Sequence, residues 1–175
     1  MSTNSKNSRF STLMLMVLKE IRLERGVHQG LLAQAAGKSP SAWTKIENGQ
    51  SPLTLDVMFG ACAALQLQPS YAMTLVERLV NAFNSQGYYF HSENMESSED
   101  ELLPLMIQYF NSKGYEALKN RLFERTSITA LGNPFSPGSI PTIIEYCCDP
   151  NKRTWIDDGA LLSLSGPSTN DVFNF

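Results

Sequence analysis

Apolar side chains recur at helical spacing through the first half of the chain, which indicates a series of short amphipathic helices. Five helices are expected, at about residues 12–25, 29–36, 39–49, 55–65 and 71–85. Glycines stand at the ends of the first three, and a glycine just past the last turn commonly closes a helix in the left-handed conformation. The pattern therefore predicts a compact bundle of five helices.

The second and third helices are short, and Gly37 forms the turn between them. Ser39 is a good N-cap for the third helix. Pro40 fits the first helical position, because the N–H that proline lacks would have no partner there. Two short helices joined by a glycine turn have the layout of a helix-turn-helix, whose second helix enters the major groove of DNA.

The third helix has two distinct faces. Helical spacing directs Trp43 and Ile46 toward the core, where a large aromatic side chain is normally buried. The same spacing leaves Ser41, Thr44 and Lys45 on the outside. We therefore expect these three side chains to face DNA.

The second half of the chain is less regular. Residues 88–96 are expected to be a linker or a short extended piece. Ser98 and Glu101 form a capping-box pattern, which predicts a helix from there to about residue 112, bent or restarted at Pro104.

After a break at Gly114, a further helix is expected at about residues 115–125. Residues 131–139 form a turn-rich loop. Residues 141–148 fit either a short helix or a strand.

These elements predict an all-α fold in which a five-helix helix-turn-helix domain precedes a smaller, mainly helical C-terminal domain. The expected divisions are a flexible arm at 1–11, the DNA-binding domain at 12–86, the second domain at 87–165 and a tail at 166–175. Lys6 and Arg9 give the arm a basic character that could touch DNA, although mobility is the usual state of a terminus.

Charge is divided unequally along the chain. The formal net charge is −3, which is unusual for a DNA-binding protein. Residues 1–86 carry eight Lys and Arg against five Asp and Glu, whereas residues 87–175 carry six against twelve. A local basic face determines attraction to phosphate, so the acidic half is expected to face away from DNA.

Little in the chain points to catalysis or to a metal. The three cysteines, of which Cys147 and Cys148 are adjacent, fit neither a disulfide framework nor a zinc spacing. A redox role for this pair is the alternative to burial as small apolar residues. The acidic run that includes Glu99, Asp100 and Glu101 is expected to be a solvated face. We expect no cofactor, no metal and no enzyme activity.

The chain is expected to be a cytoplasmic bacterial protein associated with the nucleoid. Its start is polar and lacks the pattern of a signal peptide. No apolar run approaches the roughly 18 residues that cross a bilayer. No membrane partner is therefore expected.

Over about residues 12–68 the sequence resembles the Cro and phage-repressor (XRE) family of helix-turn-helix domains. The order and spacing of the matching residues make the resemblance specific. They are Leu18, Ile21, Arg22, Gly26, Gln29, Leu32, Ala33, Gly37, Ser39, Ser41, Ile46, Glu47, Asn48, Gly49, Pro52, Leu55, Ala61, Ala64 and Leu65. A phage, a plasmid or another mobile element is a plausible source.

The resemblance implies double-stranded operator DNA as the partner. Helix 2 would meet the phosphate backbone at its start, helix 3 would contact base edges, and the loop after helix 3 would contact the other strand. The residues implied are Gln29, Lys38, Ser39, Pro40, Ser41, Thr44, Lys45, Asn48 and Gln50.

Three positions depart from the family's usual pattern or look unusual beside DNA. Pro40 has no donor, so any base contact there has to be apolar. Trp43 stands where a smaller Ile or Val is usual, and is expected to enlarge the core. Glu47 is expected to pair with Arg22 inside the domain.

We therefore hypothesise that the protein is a transcriptional regulator that binds a palindromic operator as a homodimer, and we favour repression over activation. Helix 5 carries an apolar stripe that is expected to meet the partner subunit: Leu75, Val76, Leu79, Val80 and Phe83. Two alternatives are an antitoxin whose C-terminal half binds a protein and a regulator that senses a small ligand near residues 88–135.

Overall fold

The computed structural model describes residues 5–92, 95–121, 123–135 and 137–161. These residues are mostly α-helical, as predicted, with a short two-stranded sheet in addition. In chain order the elements are β1 (Lys6–Arg9), α1 (Phe10–Glu24), α2 (Gln29–Ala35), α3 (Pro40–Glu47), α4 (Leu55–Ala64), α5 (Pro69–Asn84), β2 (Tyr88–His91), α6 (Leu102–Asn111), α7 (Lys113–Leu118), a 3-10 turn (Ile128–Ala130), α8 (Thr142–Cys148) and α9 (Pro150–Asp157).

The five helices predicted for the first half are confirmed, with small shifts at their ends. Helix α1 ends where Gly26 takes a φ of +63°, so that Val27 donates its N–H back to Arg22. Helix α5 begins at Pro69, two residues earlier than predicted, because proline is well suited to the first turn.

The expected mobile arm is wrong for residues 6–11. Strand β1 pairs in parallel with β2, with Lys6 opposite Tyr88 and Arg9 opposite His91. Arg9 donates through Nε to Asp100 at 3.1 Å. The prediction failed because β1 is stabilised by residues more than 80 positions away, which a local pattern cannot reveal. Residues 1–4 lie outside the described part.

Asp100 also begins helix α6. Its Oδ1 accepts the N–H groups of Leu102 and Leu103 at 3.2 and 3.0 Å. The capping box predicted at Ser98 is therefore wrong, and α6 starts three to four residues later. Asp100 is buried, so the acidic run is not solvated throughout. Pro104 lies within the first turn, where it is tolerated without a bend.

Helices α7, α8 and α9 complete the second half. Helix α7 is much shorter than predicted and contains Gly114 instead of starting after it. A Cβ on Gly114 would lie 2.0 Å from the carbonyl oxygen of Ile156, so this glycine permits the close approach of α7 and α9. Residues 142–148 are helical, which settles the choice left open, and α9 was not predicted.

One hydrophobic core joins the two halves. Helix α1 lies at its centre, with every residue from 12 to 20 buried, and it packs against α5, α6 and β1. The division at residues 86 and 87 stays a prediction, although side chains from both sides of it share this core.

The apolar stripe of α5 is part of that core. Leu75, Leu79 and Phe83 are fully buried, Val76 is 5% exposed and Val80 is half-buried. Their assignment to a subunit interface is wrong, because this face of α5 packs against α1 and β2 of the same chain. The five-helix pattern did not foresee that the second half would add to the core.

Candidate nucleic-acid interface

The turn between α2 and α3 is fixed by backbone hydrogen bonds. Gly37 has a φ of +64°, and its N–H donates to Gln34 while that of Lys38 donates to Ala33 at 2.8 Å. Ser39 then accepts the N–H of Ala42 through Oγ at 3.2 Å and caps α3. These bonds set the relative orientation of the two helices, as a helix-turn-helix requires.

The inner face of α3 anchors it to the core. Trp43 and Ile46 are 1% and 4% exposed, so the prediction that Trp43 is a core residue is confirmed. The indole Nε1 is buried and has no hydrogen-bond partner in the described residues. Burial of this ring holds α3 by packing, in place of the smaller aliphatic residue that the resemblance predicts.

The outer face of α3 combines apolar and polar groups. Pro40, Ser41 and Lys45 are exposed, and Thr44 is half-buried. Thr44 donates its hydroxyl to the carbonyl of Pro40 at 3.0 Å. Within the described residues no carboxylate lies at ion-pair distance from Lys45. Its ammonium is therefore available to a phosphate or a base.

The loop after α3 is closed by Gly49. With a φ of +69°, Gly49 donates to Ile46, and Gln50 donates to Lys45 at 2.8 Å. Asn48 is half-buried and Gln50 is exposed. The two polar side chains therefore follow α3 on a loop whose backbone is held by the helix itself.

The second half of the protein supports this loop. A Cβ on Gly49 would lie 2.7 Å from Cδ2 of Leu103 in α6. The loop expected to meet DNA thus packs directly on the first helix of the C-terminal part. No feature of the sequence around Gly49 indicates this contact.

The start of α2 and the turn before α3 carry the remaining residues expected to contact DNA. Gln29 is half-buried and Lys38, at the end of the turn, is exposed. His28 is exposed and also caps α2, because its Nδ1 accepts the N–H of Gly30 at 3.1 Å.

A buried cluster of charges fixes α3 to α1. Arg22 donates to Glu47 through Nε at 2.7 Å and through Nη2 at 3.1 Å, which confirms the predicted pair. Lys19 Nζ lies 3.8 Å from the same carboxylate and over the ring of Phe110. Burial lowers the pKa of Lys19. The burial of Lys19 could not be predicted, because it depends on contacts with α3 and α6 that nothing in the neighbouring sequence indicates.

The cysteines have the character of core residues. Cys147 is fully buried and Cys148 is half-buried, and burial raises the pKa of both thiols, that of Cys148 to about 11. Lys6 and Arg153 oppose the shift without reversing it. In the described residues no group of three or more His, Cys, Asp or Glu side chains is placed to hold a metal ion.

Comparison with known proteins identifies the N-terminal part. Residues 18–71 match the helix-turn-helix family model. No curated protein and no solved structure shows significant similarity to the chain. Among the described residues, no helix has the length and apolar character needed to cross a membrane. Residues 18–71, about a third of the chain, are a helix-turn-helix domain of the Cro and phage-repressor type, which indicates a sequence-specific DNA-binding regulator.

Proposed function

We propose that this protein is a transcriptional repressor that binds a palindromic operator as a homodimer, with α3 of each copy in a major groove. The observation that carries the proposal is the outer face of α3. Its serine, proline and lysine are exposed and its threonine is half-buried, and no carboxylate in the described part of the chain pairs with the lysine. Trp43 and the Arg22–Glu47 pair anchor the helix. A rigid helix with a free polar face suits contact with base edges.

The flanking residues suit the phosphate backbone. Lys38 is exposed in the turn before α3, and Gln50 is exposed in the loop after it. Gln29 and Asn48 are half-buried and add amide donors at the start of α2 and the end of α3. Contacts on both sides of α3 would fix its register in the groove without specifying sequence.

One such domain makes few contacts, and a dimer doubles them and sets two half-sites about one helical turn apart. Helix α4 offers a surface for a second copy. Leu55 and Phe59 are 66% and 48% exposed, and their i, i+4 spacing places them on one face of the helix. The two side chains lie just after the loop that follows α3, so a contact between two copies here would be close in sequence to the helix proposed to read DNA.

We favour repression over activation because it requires only that such a dimer occupies the promoter. A protein bound across a promoter excludes polymerase without any additional activating surface. The proposal includes no catalytic step.

Selection of bound sequences from a random pool of DNA duplexes tests the function. We expect an enriched palindrome, and we expect the double substitution Ser41→Ala with Thr44→Ala to abolish preference for it while salt-sensitive, non-specific binding remains. The matched control is Ser70→Ala with Thr74→Ala, because Thr74 makes the same hydroxyl-to-carbonyl bond on α5, at 2.9 Å. An unchanged preference in the α3 variant would contradict the assignment of α3.

Equilibrium sedimentation tests the dimer. We expect Phe59→Glu to convert a dimer to a monomer, since a charge would be buried in an apolar contact. Met73→Glu, at a comparably exposed site on α5, should remain dimeric. A dimeric Phe59→Glu variant would rule out the α4 interface, and a wild-type protein that is monomeric both free and on the enriched palindrome would rule out the dimer.

A protein partner for the second half is a second candidate function. Phe123, Phe135 and Ile140 are 105%, 92% and 56% exposed, although they are large and apolar. Such side chains mark an interaction site where they form one contiguous patch, which is the arrangement that this second candidate requires. Within the segment where a ligand was considered, Tyr109 instead packs on other aromatic rings. Its ring centroid lies within 5.2 Å of those of Phe110, Tyr115 and Tyr146.

A further inference from the structure

The outer face of α3 has fewer hydrogen-bond donors than its sequence suggests. Thr44 has a single hydroxyl hydrogen, and the bond to the Pro40 carbonyl at 3.0 Å uses it. Such a bond to the preceding turn is a stable arrangement for threonine in a helix. Thr44 therefore presents its γ-methyl group and a hydroxyl lone pair, with no donor left for a base.

Pro40 adds a second apolar group on the same side. It is exposed, has no N–H, and stands four residues before Thr44, so the two lie one above the other on the helix surface. The ring of Pro40 and the methyl of Thr44 thus place two apolar groups one turn apart on the part of α3 that is proposed to face the bases, and we call this pair the apolar strip.

Donors remain at the edges of this strip. Ser41 lies 3.2 Å from the hydroxyl of Ser39, and either oxygen can be the donor in that pair. Since Ser39 already accepts the N–H of Ala42, it can donate to Ser41 and leave the Ser41 hydrogen free. Lys45 is an exposed cation. On this face, side-chain hydrogen-bond donors are thus confined to Ser41 and Lys45.

The C5-methyl group of thymine is the apolar feature of the base edges in the major groove. A surface without donors cannot replace the hydrogen bonds to water that the N7 and O6 acceptors of a purine lose on binding. Contact of the same surface with a methyl group excludes water from both, which favours binding. Resting on the proposed function, we infer that Pro40 and Thr44 select thymine by methyl contact, so that each operator half-site carries thymine opposite this strip.

The test uses the operator obtained by selection and replaces its thymines singly by uracil, which lacks the C5-methyl group. For the wild-type protein we expect about fourfold weaker binding at one or more positions, the loss of one buried methyl contact. If selection enriches no sequence, the proposed function fails. If it enriches an operator in which uracil replaces every thymine without loss of affinity, this inference fails and the proposed function stands.

Two substitutions of Thr44 separate the methyl from the hydroxyl. Thr44→Val keeps a γ-methyl and the branched shape, and should bind the thymine operator as well as the wild type. Thr44→Ser keeps the hydroxyl, and should bind about fourfold more weakly and lose its sensitivity to uracil at one position. The opposite pattern, with Val impaired and Ser unaffected, would show a contact through the hydroxyl and overturn the inference. Thr74→Val and Thr74→Ser on α5 control for loss of the same intrahelical bond.

Discussion

Arg22 and Glu47 form a two-bond ion pair that joins helix α1 to the end of α3. Their side chains are 11% and 7% exposed, so the pair is shielded from water on most sides. Lys19 Nζ lies 3.8 Å from Oε2 of the same carboxylate, the oxygen that also accepts from Nη2 of Arg22. One carboxylate thus contacts two basic side chains of α1 and ties that helix to the end of α3, the helix proposed to face DNA.

Removal of that carboxylate should be costly. We expect Glu47→Ala to lower the free energy of unfolding by roughly 3 kcal/mol, because Lys19 and Arg22 would remain buried without a counter-charge. Urea unfolding followed by circular dichroism measures the change. Glu77→Ala, on the exposed side of α5, is the control and should change stability by less than about 0.5 kcal/mol. Equal stability of the two variants would contradict the importance of the cluster.

The contact between Gly49 and Leu103 predicts a coupled pair of substitutions. Gly49→Ala should destabilise the protein by roughly 1–3 kcal/mol, because alanine disfavours the φ of +69° and its Cβ would meet Leu103. It should also weaken operator binding, since the loop carrying Gln50 would move.

Leu103→Ala removes the side chain that Gly49→Ala would meet. In a double-mutant cycle, the two changes together should destabilise the protein by less than the sum of the single effects. Additive effects would show that the loop and α6 are independent in solution, contrary to their contact.

Glu20 forms a second buried charge network, and its partners lie in the second half of the chain. Its Oε1 accepts from Arg125 Nη1 at 3.0 Å and from the N–H of Ile128 at 3.1 Å, while Arg125 also donates to Glu24. Burial, followed by the charge of Glu24, raises the pKa of Glu20 to about 8, although Arg125 opposes the shift. Glu20 Oε2 has no partner in the described residues.

This shift predicts how stability depends on pH. Between about pH 4.5, the ordinary pKa, and pH 8, the folded protein keeps a proton on Glu20 that the unfolded chain releases. The contribution of Glu20 to stability is therefore complete below that range and is lost as pH rises toward 8. Comparison of urea midpoints at pH 5 and pH 8 should show a smaller decrease for Glu20→Gln than for the wild type. A decrease of the same size in both would contradict the raised pKa.

The cysteines provide a test of the core. At pH 7.5 the raised thiol pKa values leave very little thiolate, so Cys147 and Cys148 should react slowly with a disulfide reagent in the native protein. Cys62, also buried with a raised pKa, should behave alike. Addition of urea should make all three thiols react quickly. Rapid reaction of Cys148 in the native state would support the redox role that burial argues against.

The helix-turn-helix could be predicted because its signals are local. Gly37 and Gly49 close helices through bonds spanning five residues, Ser39 caps the helix that follows it, and Trp43 lies at core spacing. Each of these depends on neighbours in sequence, so the pattern of residue types was sufficient. The Arg22–Glu47 pair could be inferred because it lies between two such helices.

The remaining contacts depend on residues that are distant in sequence. Asp100 looked like one member of a solvated acidic run, yet it binds Ser8, Arg9 and Thr12 at the beginning of the chain. The α5 stripe looked free because nothing local indicated that β2 would pack against it. Both errors arise from treating the second half as a separate unit when it shares the core of the first.

Strand β1 has a consequence for how the protein forms during synthesis. Its partner strand and Asp100 both lie more than 80 residues later in the chain. During synthesis, β1 therefore has no pairing partner when the helix-turn-helix leaves the ribosome. Local helical contacts form fast, whereas this pairing has to await the later chain. We expect a nascent chain arrested before residue 88 to hold its first helices but to leave the beginning of α1 unsecured. Completion of the DNA-binding half is thus delayed until much of the acidic half has been made.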